Sequence, residues 1–102
     1  MFLRPARRRP NIRIMPERTI RRLIFDGTRC VGALVRSSAG LERWEARREV
    51  VLCAGAIGTP QILMLSGIGD GAHLAEMGIP VLHHSRGVGR NLQDHFLQRM
   101  RY

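Results

Sequence analysis

Two β-rich runs flank an Asp-Gly step in "TIRRLIFDGTRCVGALVRS", residues 19–37. A DG step between such runs marks a hairpin. In the second run, strict alternation puts Val31, Ala33 and Val35 on one face and Cys30, Gly32 and Leu34 on the other. "SSAG", Ser37 to Gly40, is a second turn. "LERWEARREV" then alternates again, with Trp44 and Ala46 opposite Arg43, Glu45 and Arg47. The pattern predicts a three-stranded antiparallel meander with one wet face. Upstream, "RPARRRPN" reads as a loop or a short helix end, and Ile12 and Ile14 alternate as a short strand that Pro16 stops. The meander region so defined is 12–48.

At Glu49 the pattern changes. "VVLC", Val50 to Cys53, is a continuous apolar run, the signature of a strand covered on both faces as in a parallel sheet; it is placed within a core strand at 49–54. "AGAIGTPQILMLSGIG" follows, Ala54 to Gly69. Thr59 suits an N-cap, Pro60 the first helical position, and Gly67 the stop, which leaves about two helical turns from Gln61 to Ser66. Ile62, Leu63, Met64 and Leu65 point in all directions, so this helix is expected to be buried all round. Asp70 caps a second short helix through Met77, ended by Gly78 and Pro80, so the short helices occupy 59–77. "PVLHH" reads as a short strand, and "GVGRNLQDHF" as a glycine-rich turn with a helix starting at Asn91. The fold class is therefore α/β: an antiparallel meander feeding a buried parallel strand and short helices.

The chain is 102 residues long, one domain at most, with 44% hydrophobic and 5% aromatic residues. This is a globular composition. The formal charge is +9, and all 17 basic residues are arginine. They are spread from Arg4 to Arg101, with one run at Arg7–Arg9. A nucleic-acid surface clusters its cations and interleaves aromatic residues for stacking, so a solvated basic surface is the better reading and no nucleic acid is expected as a partner. No apolar run approaches the roughly 18 residues of a membrane span, and the N-terminus has no apolar signal core. A cytoplasmic location is expected by default. Cys30 and Cys53 sit in apolar runs without a CxxC and read as buried free thiols.

Among candidate chemistries, "GVGRNL" has Leu92 where a dinucleotide fingerprint needs its third glycine, and "GIGDGAH" has another spacing. His73, His83, His84 and His95 lack metal-ligand spacing, so no metal is expected. Asp94 beside His95 points to capping rather than acid–base work. Ser66 lies in "LSGIG", not in a GxSxG elbow. What remains is "AGAIGTP". Its small residues Ala54, Gly55, Ala56 and Gly58 would let a ligand approach the backbone at the carboxyl edge of a sheet, or they simply make a tight corner. Residue chemistry alone leaves both readings open.

The stretch from Ala54 to Gly69 resembles the second signature of the glucose–methanol–choline oxidoreductases, the FAD-dependent alcohol oxidases and dehydrogenases. Gly55, Ala56, Pro60, Gln61, Leu63, Met64, Leu65, Ser66, Gly67, Ile68 and Gly69 match it, and Thr59 stands where Ser is common. "LRPARRRPN", "FDGTRCVGALV", "AHLAEMGIPV" and "GVGRNLQDH" are similar to the family's flanking segments. The resemblance implies a partial FAD-binding domain of the glutathione-reductase type over 1–86 and the start of a substrate-domain segment over 87–102. It implies cofactor contacts from the backbone of Ile20 to the adenine, from Ala54, Gly55 and Ala56 near the adenosine, and from Asn91 on the flavin side. A small alcohol is the implied substrate of the full enzyme; the electron acceptor, oxygen or a quinone, stays open.

Family members are several times longer. Their amino-terminal Gly-rich loop and their catalytic His with its His or Asn partner have no match here, so no catalytic residue is assigned. The end at "FLQRMRY" reads as a cut within an element, and the expectation is a fragment, inactive and with weak or no FAD binding alone. The alternative is a small basic nucleic-acid-binding or structural protein without catalysis.

Overall fold

A computed structural model describes residues 3–96 and 98. Leu3–Ala6 forms a single helical turn, α1. Residues 11–18 carry no strand, which corrects the expected strand at Ile12 and Ile14; these side chains are 39% and 38% exposed. Alternation needs a ladder partner to become a strand. Here Pro10 and Pro16 bracket the segment, and Glu17 turns the chain with φ +55°.

The meander is as expected: β1 (Thr19–Asp26), β2 (Arg29–Ser37) and β3 (Gly40–Glu45), antiparallel in the order β1-β2-β3. Asp26 pairs with Arg29 around a two-residue loop whose first residue, Gly27, has φ +56°. Glycine at that position is what a type II′ hairpin turn requires. The second hairpin closes at Ser37 and Gly40, where the Ser37 hydroxyl accepts the Ala39 amide at 3.2 Å.

Two bulges modify the alternation. Ile20 pairs with Val35 and Arg22 with Leu34, so Arg21 is an extra residue in β1. Ile24 pairs with Gly32 and Phe25 with Cys30, so Val31 is an extra residue in β2. Each bulge shifts the side-chain phase by one residue. Ile20 thereby joins Leu23 and Phe25 on the core side, and Cys30 packs against the core where strict alternation had put Val31. Leu23, Ala33 and Val35 are the buried centre of this core, which Trp44, Ile62 and Leu63 help to cover.

The expected covered strand at 50–53 is not formed. These residues have no ladder partner among the described residues; Val50 and Leu52 pack against the meander core, while Val51 is 73% exposed. A two-faced strand needs neighbours on both sides, and the run finds cover on one side only. Cys53 is likewise exposed rather than buried, and both cysteines are free thiols.

Helix α2 (Gly55–Leu65) starts four residues before the expected Thr59 cap and contains Pro60. A proline there removes the amide that would bond the carbonyl of Ala56, but Ala56 is exposed and water can take that carbonyl. The helix is not buried all round. Ile62 and Leu63 face the core, while Ile57 is 75% and Leu65 42% exposed. Its end follows expectation: Gly67, φ +85°, donates its amide to the Met64 carbonyl at 2.9 Å.

Beyond it, β4 (Ile68–Gly69) pairs in parallel with β5 (His83–His84), and α3 (Gly71–Glu76) spans between them. Asp70 caps α3 as expected, its carboxylate accepting the Ala72 amide at 3.1 Å. Leu74, fully buried, is the helix's anchor. Residues 91–96 are irregular, so no helix starts at Asn91; its φ of +58° is incompatible with a right-handed turn. Residues 97 and 99–102, within the expected second segment, lie outside the described residues.

Candidate functional site

The bend at Ala54–Ala56 is open. All three residues are exposed, Gly55 has φ +80°, and a Cβ built on Gly55 would meet nothing within 4 Å. A tight corner would press a neighbour against that position; none is there. Thr59 shapes the bend from inside α2, its hydroxyl accepting the Ala54 amide at 3.1 Å. The hydroxyl thus does act on a backbone amide, but behind the helix start rather than ahead of it.

Ala56 lies on the wall of a groove of about 360 Å³, shared with Ile57, Pro60, Met64, Gly89 and Leu92. The last two flank Asn91, so folding brings the bend and the 87–92 loop to one place. Gly89 takes φ +77° and sits close to α2; a Cβ there would lie 3.3 Å from the Met64 Cε. Asn91 is exposed in the left-handed region, which asparagine tolerates better than most residues.

Ile20 is on the meander side. Its side chain packs against the core that also holds Val50 and Leu52, the residues leading into the bend. The Arg21 bulge is what turns that side chain inward, and bulges recur where a strand must re-aim a group.

Sequence reasoning missed two supports of this region. Ser66 accepts the Leu23 amide at 2.8 Å and donates to the Ile62 carbonyl at 2.6 Å, fastening α2 to β1. A serine in the last turn of a helix, four residues after a carbonyl it can reach, is the only local signal. His84 accepts the Gly71 amide on Nδ1 at 2.9 Å. Adjacent histidines gave no sign of this.

Electrostatics concentrate at Asp70. Burial works to raise its carboxyl, but the amides of Ala72 and His73 and the charges of Arg90 and His84 outweigh it and hold the group below its usual 3.8. Glu42 is also lowered, chiefly by hydrogen bonds with the Ser37 hydroxyl and the Trp44 indole; burial opposes them, and the charge of Arg18 adds a smaller lowering. Among the described residues, no three His, Cys, Asp or Glu side chains gather to hold a metal ion, and no helix is long and apolar enough to cross a membrane.

The sequence and the fold are similar to those of known proteins. An uncharacterized GMC-type oxidoreductase of Mycobacterium tuberculosis is 50% identical over 96 residues, covering 94% of this chain. Oxygen-dependent choline dehydrogenase 1 of Chromohalobacter salexigens is 46% identical over 101 residues, covering 99%. The chain spans 18% of the length of each of these relatives. An FAD-dependent oxidoreductase from Chaetomium thermophilum superposes with a TM-score of 0.82 at 40% identity, over 91% of this chain and 16% of that one. The model of the GMC oxidoreductases matches residues 1–97, nearly the whole sequence, and the chain belongs to that family.

Proposed function

We propose that this chain supplies part of the FAD site of an oxidoreductase acting on the CH–OH group of small alcohols. The backbone of Ile20 and the bend Ala54–Gly55–Ala56 serve the adenosine side, and Asn91 serves the flavin side. On this reading residues 1–86 belong to the FAD-binding domain and 87–102 open the substrate domain. The observation that carries the proposal is the open bend: small, exposed residues with free space beside Gly55, next to a groove bordered by the loop of Asn91.

These residues fit a nucleotide. Backbone amides and carbonyls can pair with the edge of an adenine, and small side chains let a ring or ribose lie against the main chain. FAD, when bound, supplies the acceptor for the hydride that leaves the alcohol carbon. The work of this chain is to bind and orient: the bend gives access, α2 and the meander core hold it rigid, and the groove provides an apolar wall. No residue here is assigned to the reacting carbon. The family match along residues 1–97 supports this reading over a basic nucleic-acid-binding protein.

The test is a chimera in which this chain replaces the matching segment of the Chromohalobacter salexigens choline dehydrogenase. The chimera is expected to purify with bound flavin, and Ala56→Leu, which fills the groove wall at a residue without positive φ, is expected to lose it while remaining folded. A folded chimera without flavin, or an Ala56→Leu variant with unchanged flavin content, would refute the proposal.

A further inference from the structure

We infer that the Asp70–Arg90 ion pair is a positioning device that holds the 87–92 loop, and with it Asn91, against α2. The cofactor half of this inference rests on the function proposed above. The Arg90 guanidinium donates to Asp70 Oδ2 at 3.2 Å, while Oδ1 of the same carboxylate caps α3 through the Ala72 amide. One side chain thus ties the loop to the start of α3. Gly89 and Asn91, on either side of Arg90, both have positive φ, +77° and +58°. No β ladder holds residues 87–92. The loop's contacts include the approach of Gly89 to Met64, the ion pair, and the turn bonds Val88 N to Ser85 O and Arg90 N to Gly87 O. Met64, Gly89, Arg90 and Leu92 border the groove that also takes in Ala56, so a shift of the loop changes the groove.

Asp70 is faced by Arg90 from the loop, by His84 from β5, and by the backbone amides of Ala72 and His73 from α3. Protonating the carboxyl should therefore release the loop, and the release should travel through Arg90.

Heteronuclear NMR of the 102-residue chain, titrated from neutral to acid pH, tests this. The amide signals of Ala72, Gly89 and Asn91 are expected to share one acid midpoint. In Arg90→Gln, Ala72 still follows the carboxyl, with its midpoint moved up because the Arg90 charge no longer lowers it, while Gly89 and Asn91 lose the transition. Asp70→Asn retains a helix-capping side chain and should hold Gly89 and Asn91 at their released positions at every pH. If Gly89 and Asn91 do not follow the carboxyl in the wild type, or still follow it in Arg90→Gln, the inference fails. In the chimera, Arg90→Gln should weaken flavin binding about two- to fivefold, the range an exposed ion pair supplies; unchanged affinity overturns the cofactor half. A wild-type chimera without flavin overturns the functional reading, whereas the titration judges the ion pair by itself.

Discussion

The Ser66 hydroxyl accepts the amide of Leu23, 43 residues earlier in the chain, at 2.8 Å. Leu23 is in β1, an edge strand of the meander, and its amide finds its partner in Ser66, the residue that caps the end of α2, rather than in another strand. The same hydroxyl donates back to Ile62. One side chain therefore closes an edge-strand amide, ends a helix and joins the two.

Ser66→Ala should leave that part-buried amide without a partner and cost about 1–3 kcal/mol of stability. Ser66→Thr keeps the hydroxyl and should cost less. Chemical denaturation compares them; an alanine variant as stable as the wild type would show that the bond contributes nothing.

Gly67→Ala should be far more damaging than Gly78→Ala. Both positions have positive φ, +85° and +69°. Only at Gly67 does a Cβ meet backbone, 2.5 Å from the Pro80 carbonyl oxygen; at Gly78 it meets nothing within 4 Å. Backbone strain alone costs about 1 kcal/mol. The clash adds to it at Gly67, because the Gly67 carbonyl also accepts the Leu82 and His83 amides and the chain cannot move away freely. Equal melting temperatures for the two variants would contradict this packing.

Acid should weaken the region around α3 through Asp70. Its carboxyl titrates below the usual 3.8 when folded, so the unfolded chain binds its proton first. The stabilisation is complete above the ordinary carboxylate value and is lost as pH falls through the folded value. Glu42 acts in the same direction from the meander. Asp70→Asn should flatten the acid limb of the stability profile; a limb of unaltered slope would exclude Asp70 as a contributor.

A thiol reagent under native conditions should label Cys53 well before Cys30. Cys53 is exposed, whereas Cys30 is half-buried against the core with its Sγ near the Gly32 carbonyl. Mass spectrometry of the labelled peptides reads the order. Rapid labelling of Cys30 would mean that the core around Ala33 and Val35 opens.

What the sequence determined by itself was the local part of this protein. The hairpin at Gly27, the turn at Ser37–Gly40, the Asp70 cap and the Gly67 stop each depend on residues within a few positions of one another. Positive φ, a two-residue loop and a side chain reaching its own helix are readable at that range. The motif "AGAIGTPQILMLSGIG" was legible in the same way, and it pointed to the bend that the fold leaves open.

Tertiary structure alone decided the rest. Arg21 and Val31 became bulges because strands from different parts of the chain had to match around one core, and no pattern of period two announces such a phase shift. "VVLC" carries the composition of a doubly covered strand, yet cover comes from whatever packs beside it, and here only Val50 and Leu52 find a surface. Ser66 met Leu23, and Arg90 met Asp70, across 43 and 20 positions. Such pairings arise from the path of the whole chain, because a hydrogen bond or an ion pair is defined by distance in space, to which separation along the sequence is no guide.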